Sequence, residues 1–297
     1  MGRSYFYLLK PQINVYLQSI TVMKTVITSS DKSFLNLGEL KRYGGLFKYL
    51  SLRDVFVRYK QTWLGFGWSI IRPLINILIF GCLSYLVDRS QNFRERFIMV
   101  SAGIVFWQLL STAISDVSNS LTSNSNILTK VYFPKIILPF ASILVCLVDF
   151  VIAFVIFLVL FFIFKGFPAW QIIFLPFVIF YGLVFCLGLG LIFATASVKY
   201  RDVKFILPFI IQILFYASPV FINTGFVLAL NVPAWVKVLY QLNPLVFILN
   251  AFKYCFYGSF DTFNPVYTVI SIGITSLILI FAIRYFLNFE KSFADYI

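Results

Sequence analysis

The 297-residue sequence contains no histidine, which removes the commonest metal ligand, the usual proton-relay group and any histidine-based catalytic triad. Charge is scarce, at 12% of residues, and acidic residues number only 11, so a soluble chain of this length would lack the polar surface to stay dispersed. Cysteine is limited to Cys82, Cys146, Cys186 and Cys255, with no CxxC pair, which argues against a disulfide scaffold or a zinc site and for small apolar side chains packed in helices. No GxxxxGK[ST] loop is present to bind ATP phosphates. Paired carboxylates for glycosyl chemistry are missing as well, so the expectation is a non-enzyme with no catalytic residue, no metal and no cofactor of its own.

What is abundant is apolar: 61% of the chain, with 37 Phe and 17 Tyr among its aromatics. Crossing a bilayer takes about 20 residues of helix. Six stretches approach or exceed that length, at about 68–87, 97–114, 136–164, 172–198, 205–222 and 265–286. The expected fold is therefore all-α, a polytopic membrane protein of six transmembrane helices. Gly182, Gly188 and Gly190 in the fourth stretch permit close helix approach. Residues 223–264 are apolar but broken by Gly225, Pro233, Pro244 and Gly258, which fits two short helices that dip into the membrane and return better than a seventh span.

Net charge is +13, but the basic residues gather beside hydrophobic spans rather than in one groove, which suits anionic lipid headgroups and not nucleic acid. Under the six-span layout 18 Lys and Arg fall on one side and 6 on the other, so both termini are expected in the cytoplasm. The first 68 residues hold no apolar run of 15, and no cleavable signal peptide is expected. Residues 1–38 read as a cytoplasmic leader, 39–290 as the membrane domain and 291–297 as a cytoplasmic tail. The segment 46–60, LFKYLSLRDVFVRYK, sets Leu46, Phe47, Leu50, Phe56 and Val57 at near-helical spacing among Lys48, Arg53, Arg58 and Lys60. That pattern predicts an amphipathic helix at the membrane interface, with basic stems reaching toward phosphates or an amphipathic face packed on protein.

Asp149 is the outlier, a carboxylate deep in the run 136–164. A charge there is costly unless paired, hydrated or neutralised, so it either lines a passage, ties two helices together or is hydrogen-bonded to a Ser, Thr or Tyr. Tyr181, Phe185, Tyr216, Tyr240, Phe247 and Tyr257 are candidate surfaces for stacking sugar rings, against the simpler reading of core or lipid-facing bulk.

Residues 53–73 read RDVFVRYKQTWLGFGWSIIRP, followed in order by KVYFPKIILP at 130–139, YRDVKFILP at 200–208, FYASPVF at 215–221 and LNPL at 242–245 ahead of Lys253. This ordered set resembles the permease subunits of type-2 ABC exporters for polysaccharides, the O-antigen, capsule and teichoic acid transporters, over about residues 40–290. The resemblance implies a homodimer in the bacterial inner membrane, docked on two separate cytoplasmic ABC ATPase subunits that carry ATP and Mg, and a lipid-linked glycan as substrate. It implies a gate helix at 46–60, a coupling helix within 119–134 and extracellular re-entrant helices within 223–257. On that footing Arg53, Arg58, Lys60 and Arg72 are candidates for the carrier's phosphate headgroup, against plain anchoring to bulk lipid. Asn126, Lys130, Lys135, Arg201 and Asp202 are candidates for the ATPase contact, with an internal ion pair as the simpler account of Arg201 and Asp202. Pro219 and Pro244 become bend points near an outer gate. A type-2 permease for drugs or small lipids shares the fold. An ion-driven secondary transporter would need repeated spans and coupled ionisable groups that the sequence does not display.

Overall fold

The computed structural model describes residues 42–60, 67–87, 92–131, 133–220, 222–259, 264–290 and 293, and regular structure among them is entirely helical. The leader at 1–38, most of the tail at 291–297 and the 61–66 part of the first motif lie outside the described residues. In chain order the helices are α1 (Gly44–Lys60), α2 (Gly67–Val87), α3 (Phe93–Ser123), α4 (Ser125–Leu128), α5 (Ile137–Phe164), α6 (Leu175–Lys199), α7 (Val203–Tyr216), α8 (Thr224–Ala229), α9 (Ala234–Leu242), α10 (Pro244–Tyr257) and α11 (Pro265–Glu290). Five of them, α2, α3, α5, α6 (with the 3-10 turn Trp170–Phe174 before it) and α11, are long and apolar enough to cross a membrane. The chain is a multi-pass membrane protein.

α3 is the hub. Its apolar window is 78% buried, against 17–33% for the other four, because α2, α5, α6 and α10 pack around it. The fit to α6 needs glycine: a Cβ on Gly190 would stand 2.4 Å from the Val117 side chain. On α10, Phe252 stacks on Phe106 of α3 at 4.2 Å between centroids, and Phe256 meets Phe157 of α5 edge-on at 5.0 Å.

α3 runs nine residues past Ile114, where the hydropathy reading placed its end. The polar stretch after Ile114 stays helical because its side chains bond back onto their own helix. Ser118, Asn119, Ser120 and Thr122 donate to the carbonyls of Ile114, Ser115, Val117 and Asn119. The segment expected as the fifth span is helical only over the 14 residues of α7, about 21 Å at 1.5 Å per residue. Ser218-Pro219 stops it there, since proline supplies no N–H and restricts the residue before it.

The irregular stretch after α7 is held by one helix. Asn243 at the start of α10 donates to the Ala217 carbonyl at 3.1 Å, Lys253 to the Pro219 carbonyl at 2.6 Å, and Asn250 to the Thr224 hydroxyl at 2.8 Å. The first two satisfy backbone carbonyls, and the third ties two side chains together. The broken region forms the expected pair of short helices, α9 and α10, divided by Asn243 capping Leu245 with Pro244 in the first turn. The six-residue α8 precedes them.

Candidate functional site

α1 docks on the bundle with Arg53 and Arg58 turned inward and Lys48 and Lys60 exposed. Tyr49, Leu52, Phe56 and Val57 are exposed as an apolar stripe. Arg53 bonds Asp54 at 2.6 Å and Asn124 at 2.5 Å, just past the end of α3. Arg58 pairs with Asp116 of α3 through one guanidinium nitrogen and with Asp149 of α5 through another. Tyr59 donates its hydroxyl to the second oxygen of Asp149. Contacts at 53 and 58 meet α3 at 124 and 116 in turn, so α1 runs antiparallel along the last two turns of α3.

Arg53 and Arg58, both candidates for a phosphate headgroup, face carboxylate or amide oxygens within the chain. Asp149 has an acidic neighbour in Asp116, to which the one guanidinium bridges it. A buried carboxylate is tolerated when paired and hydrogen-bonded, and Asp149 has both partners. Burial disfavours a charged Arg58, yet the two carboxylates outweigh it and raise its pKa. Burial, and then the bond to Asp149, push the Tyr59 hydroxyl above its usual range. On the other side of Asp116, Cys146 of α5 donates its thiol at 3.1 Å to the oxygen that Arg58 holds.

The ion triad forms part of the wall of a cavity of about 530 Å³. α1 contributes Arg58 and Tyr59; α2 contributes Trp68, Ser69 and Arg72. α3 contributes Gln108, Ser111, Thr112, Ser115 and Asp116; Asp149 of α5 and Pro208 and Ile211 of α7 complete it. The volume lies within the range of small-molecule sites, about 300–1,000 Å³. Arg58 and Arg72 thus share one cavity, whereas Arg53 and the exposed Lys60 are not in its lining.

The remaining candidates separate by environment. Tyr181 bonds Thr275 at 2.8 Å and meets Phe247 edge-on, so both serve the α6–α11–α10 packing, and Phe185 is buried beside them. Lys165 stands 3.5 Å over the Tyr257 ring, and its pKa is lowered by burial against the pull of Glu95. Pro219 and Pro244 are buried, Tyr240 is half-buried and Tyr216 is exposed. Lys135 donates to the carbonyl of Glu290 at 2.8 Å, and its backbone N–H donates to the Glu290 carboxylate, which fastens the C-terminal end of α11. Asn126, Lys130, Arg201 and Asp202 are exposed, and no ion pair joins Arg201 to Asp202.

The hydropathy reading missed Asp116, Gln108, Ser111, Thr112 and Ser115 as site residues. Their spacing of i, i+3, i+4, i+7 and i+8 is a polar stripe on one helix face, legible once the span is carried past Ile114.

The fold is thus an apolar membrane-spanning bundle with α1 latched to it and a polar cavity where α1, α2, α3, α5 and α7 meet. The family model described as ABC-2 type transporter matches residues 45–257, and the chain belongs to that family. Membership implies an ABC ATPase partner. The chain is 27% identical over 219 residues to the O-antigen export system permease protein RfbA of Myxococcus xanthus, covering 74% of this chain and 83% of that one. It is 25% identical over 192 residues to the protein of the same name from Klebsiella pneumoniae, covering 64% and 73%.

Proposed function

We propose that the chain is the membrane-spanning subunit of an ATP-driven exporter that carries an O-antigen-like polysaccharide, on a lipid carrier, across the bacterial inner membrane. The observation that carries this reading is the ABC-2 match across 45–257 together with relatives named as O-antigen export permeases. Two copies pair to make the path, and each docks a separate cytoplasmic ATPase that binds ATP and Mg. Both termini lie on the cytoplasmic side. Export breaks no bond in this chain; it supplies a route and a gate while the partner supplies the hydrolysis.

α1 serves as the gate at the inner surface. The Arg58 triad holds it closed against α3 and α5, and its exposed apolar stripe keeps it in contact with lipid. Arg72, exposed and in the cavity lining, is the cation placed to meet a carrier phosphate. The ATPase seats against the exposed polar turn after α3, where Asn126 and Lys130 project, and against Arg201 and Asp202.

Affinity purification of the tagged chain from its native membrane tests the assembly. A stable complex of two copies with two nucleotide-hydrolysing subunits is expected. A chain that purifies alone and moves glycan in response to an ion gradient overturns the reading.

A further inference from the structure

The chemistry of the cavity wall bears on its ligand. Its charged groups are Arg58, Arg72, Asp116 and Asp149, so it carries no net formal charge, and Arg58 is spent on the two carboxylates. Such a wall has little to draw a dianion into its interior. It has acceptors instead. The buried Gln108 amide oxygen has no partner. Thr112 gives its hydroxyl proton to the Gln108 backbone carbonyl at 2.7 Å and Ser111 does so at 3.2 Å, which leaves both hydroxyl oxygens to accept. Asp116 engages Arg58 and Cys146 through one oxygen, Oδ2. At the lip Trp68 is 53% exposed, a flat apolar face beside Arg72.

We propose that this cavity is a pyranose subsite: it seats one sugar ring of the glycan, with ring hydroxyls donating to Gln108 Oε1, Asp116 and the Ser111 and Thr112 oxygens, and the C–H face of the ring against Trp68. A sugar presents hydroxyl donors around its rim and apolar C–H faces, which matches an acceptor-lined wall with one aromatic plane. Arg72 then lies at the edge where a linking phosphate sits, and the cavity reads the sugar nearest the carrier. A buried acceptor built to meet a hydroxyl discriminates strongly against ligands that lack it. The inference rests on the exporter reading and specifies the part of the substrate that this site recognises.

The test uses the full chain with its co-purified ATPase in lipid nanodiscs and measures equilibrium binding of farnesyl diphosphate, bare or carrying one glucose, galactose, mannose or N-acetylglucosamine. At least one sugar-bearing lipid is expected to bind about tenfold tighter than the bare one. Gln108→Leu and, independently, Trp68→Ala at the exposed lip are expected to erase that gain and leave the bare lipid's affinity unchanged. If no sugar improves binding, or if both variants weaken bare and glycosylated lipid alike, the subsite is overturned and the exporter reading stands. If neither kind of lipid binds, both are overturned.

Discussion

Arg58 and Asp149, 91 residues apart, form an ion pair that fastens α1 to the membrane-spanning bundle. The same guanidinium holds Asp116, so three elements meet at one side chain. Because the group is partly solvated, its net worth is well below that of a fully buried pair. A double-mutant cycle of Arg58→Gln and Asp149→Asn is expected to give a coupling of about 1–3 kcal/mol, read from melting of the purified protein. Strictly additive losses would mean that the pair does not hold α1.

The latch should also weaken in alkali. Tyr59 has a raised pKa in the folded chain, from burial and then the bond to Asp149. A raised folded value means its contribution is fully present below the ordinary tyrosine value of about 10 and is lost as pH rises through the folded one. Wild-type protein should lose thermal stability more steeply than Tyr59→Phe above about pH 10. Parallel profiles would show that this hydroxyl is not coupled to docking.

Lys253 and Gly103 set the second rigid point. The lysine is 3% exposed and donates to Pro219, and a Cβ on Gly103 would stand 2.2 Å from the Val220 carbonyl oxygen. Lys253→Met leaves that proline carbonyl without its donor and should cost about 1–3 kcal/mol, seen as a melting point several degrees lower. Gly103→Ala must push backbone aside, so it should yield little monodisperse protein. Wild-type behaviour from both variants would mean that the break after α7 is not pinned as described.

The two lysines that flank the polar turn should part company. Lys130 is exposed, while Lys135 is engaged with Glu290 and stands 5.2 Å over the Phe293 ring. Charge reversal at Lys130 should reduce capture of a co-expressed ATPase. Lys135→Ala should leave capture near wild type and expose the end of α11 to protease. The reverse pattern in a pull-down would assign the docking contact to Lys135.

Much of this was legible from hydropathy. The bounds of α2, α5 and α11 fall within a few residues of expectation, because long uninterrupted apolar runs admit little else in a bilayer. The end of α3 was not, since Ser, Asn and Thr look like loop until their side chains are seen bonded to their own helix. That boundary left Ser115 and Asp116 outside the span, and with them the end of the stripe that starts at Gln108 and one partner of Arg58. The arginines are legible in the sequence, but their distant partners within the chain are not. The Arg53–Asp54 pair is local to LFKYLSLRDVFVRYK, but nothing in that segment tells that Arg53 also meets the Asn124 amide or that Arg58 meets carboxylates some 60–90 residues further on; that depends on tertiary packing.

The most direct test is transport itself. Inside-out membrane vesicles containing the chain and its ATPase, supplied with lipid-linked glycan on the outer face, should take the glycan into the lumen only when hydrolysable ATP is present. Arg72→Gln should slow uptake severalfold with the complex intact. Uptake that proceeds without ATP, or that fails for glycan while another class of lipid is moved, would contradict the account.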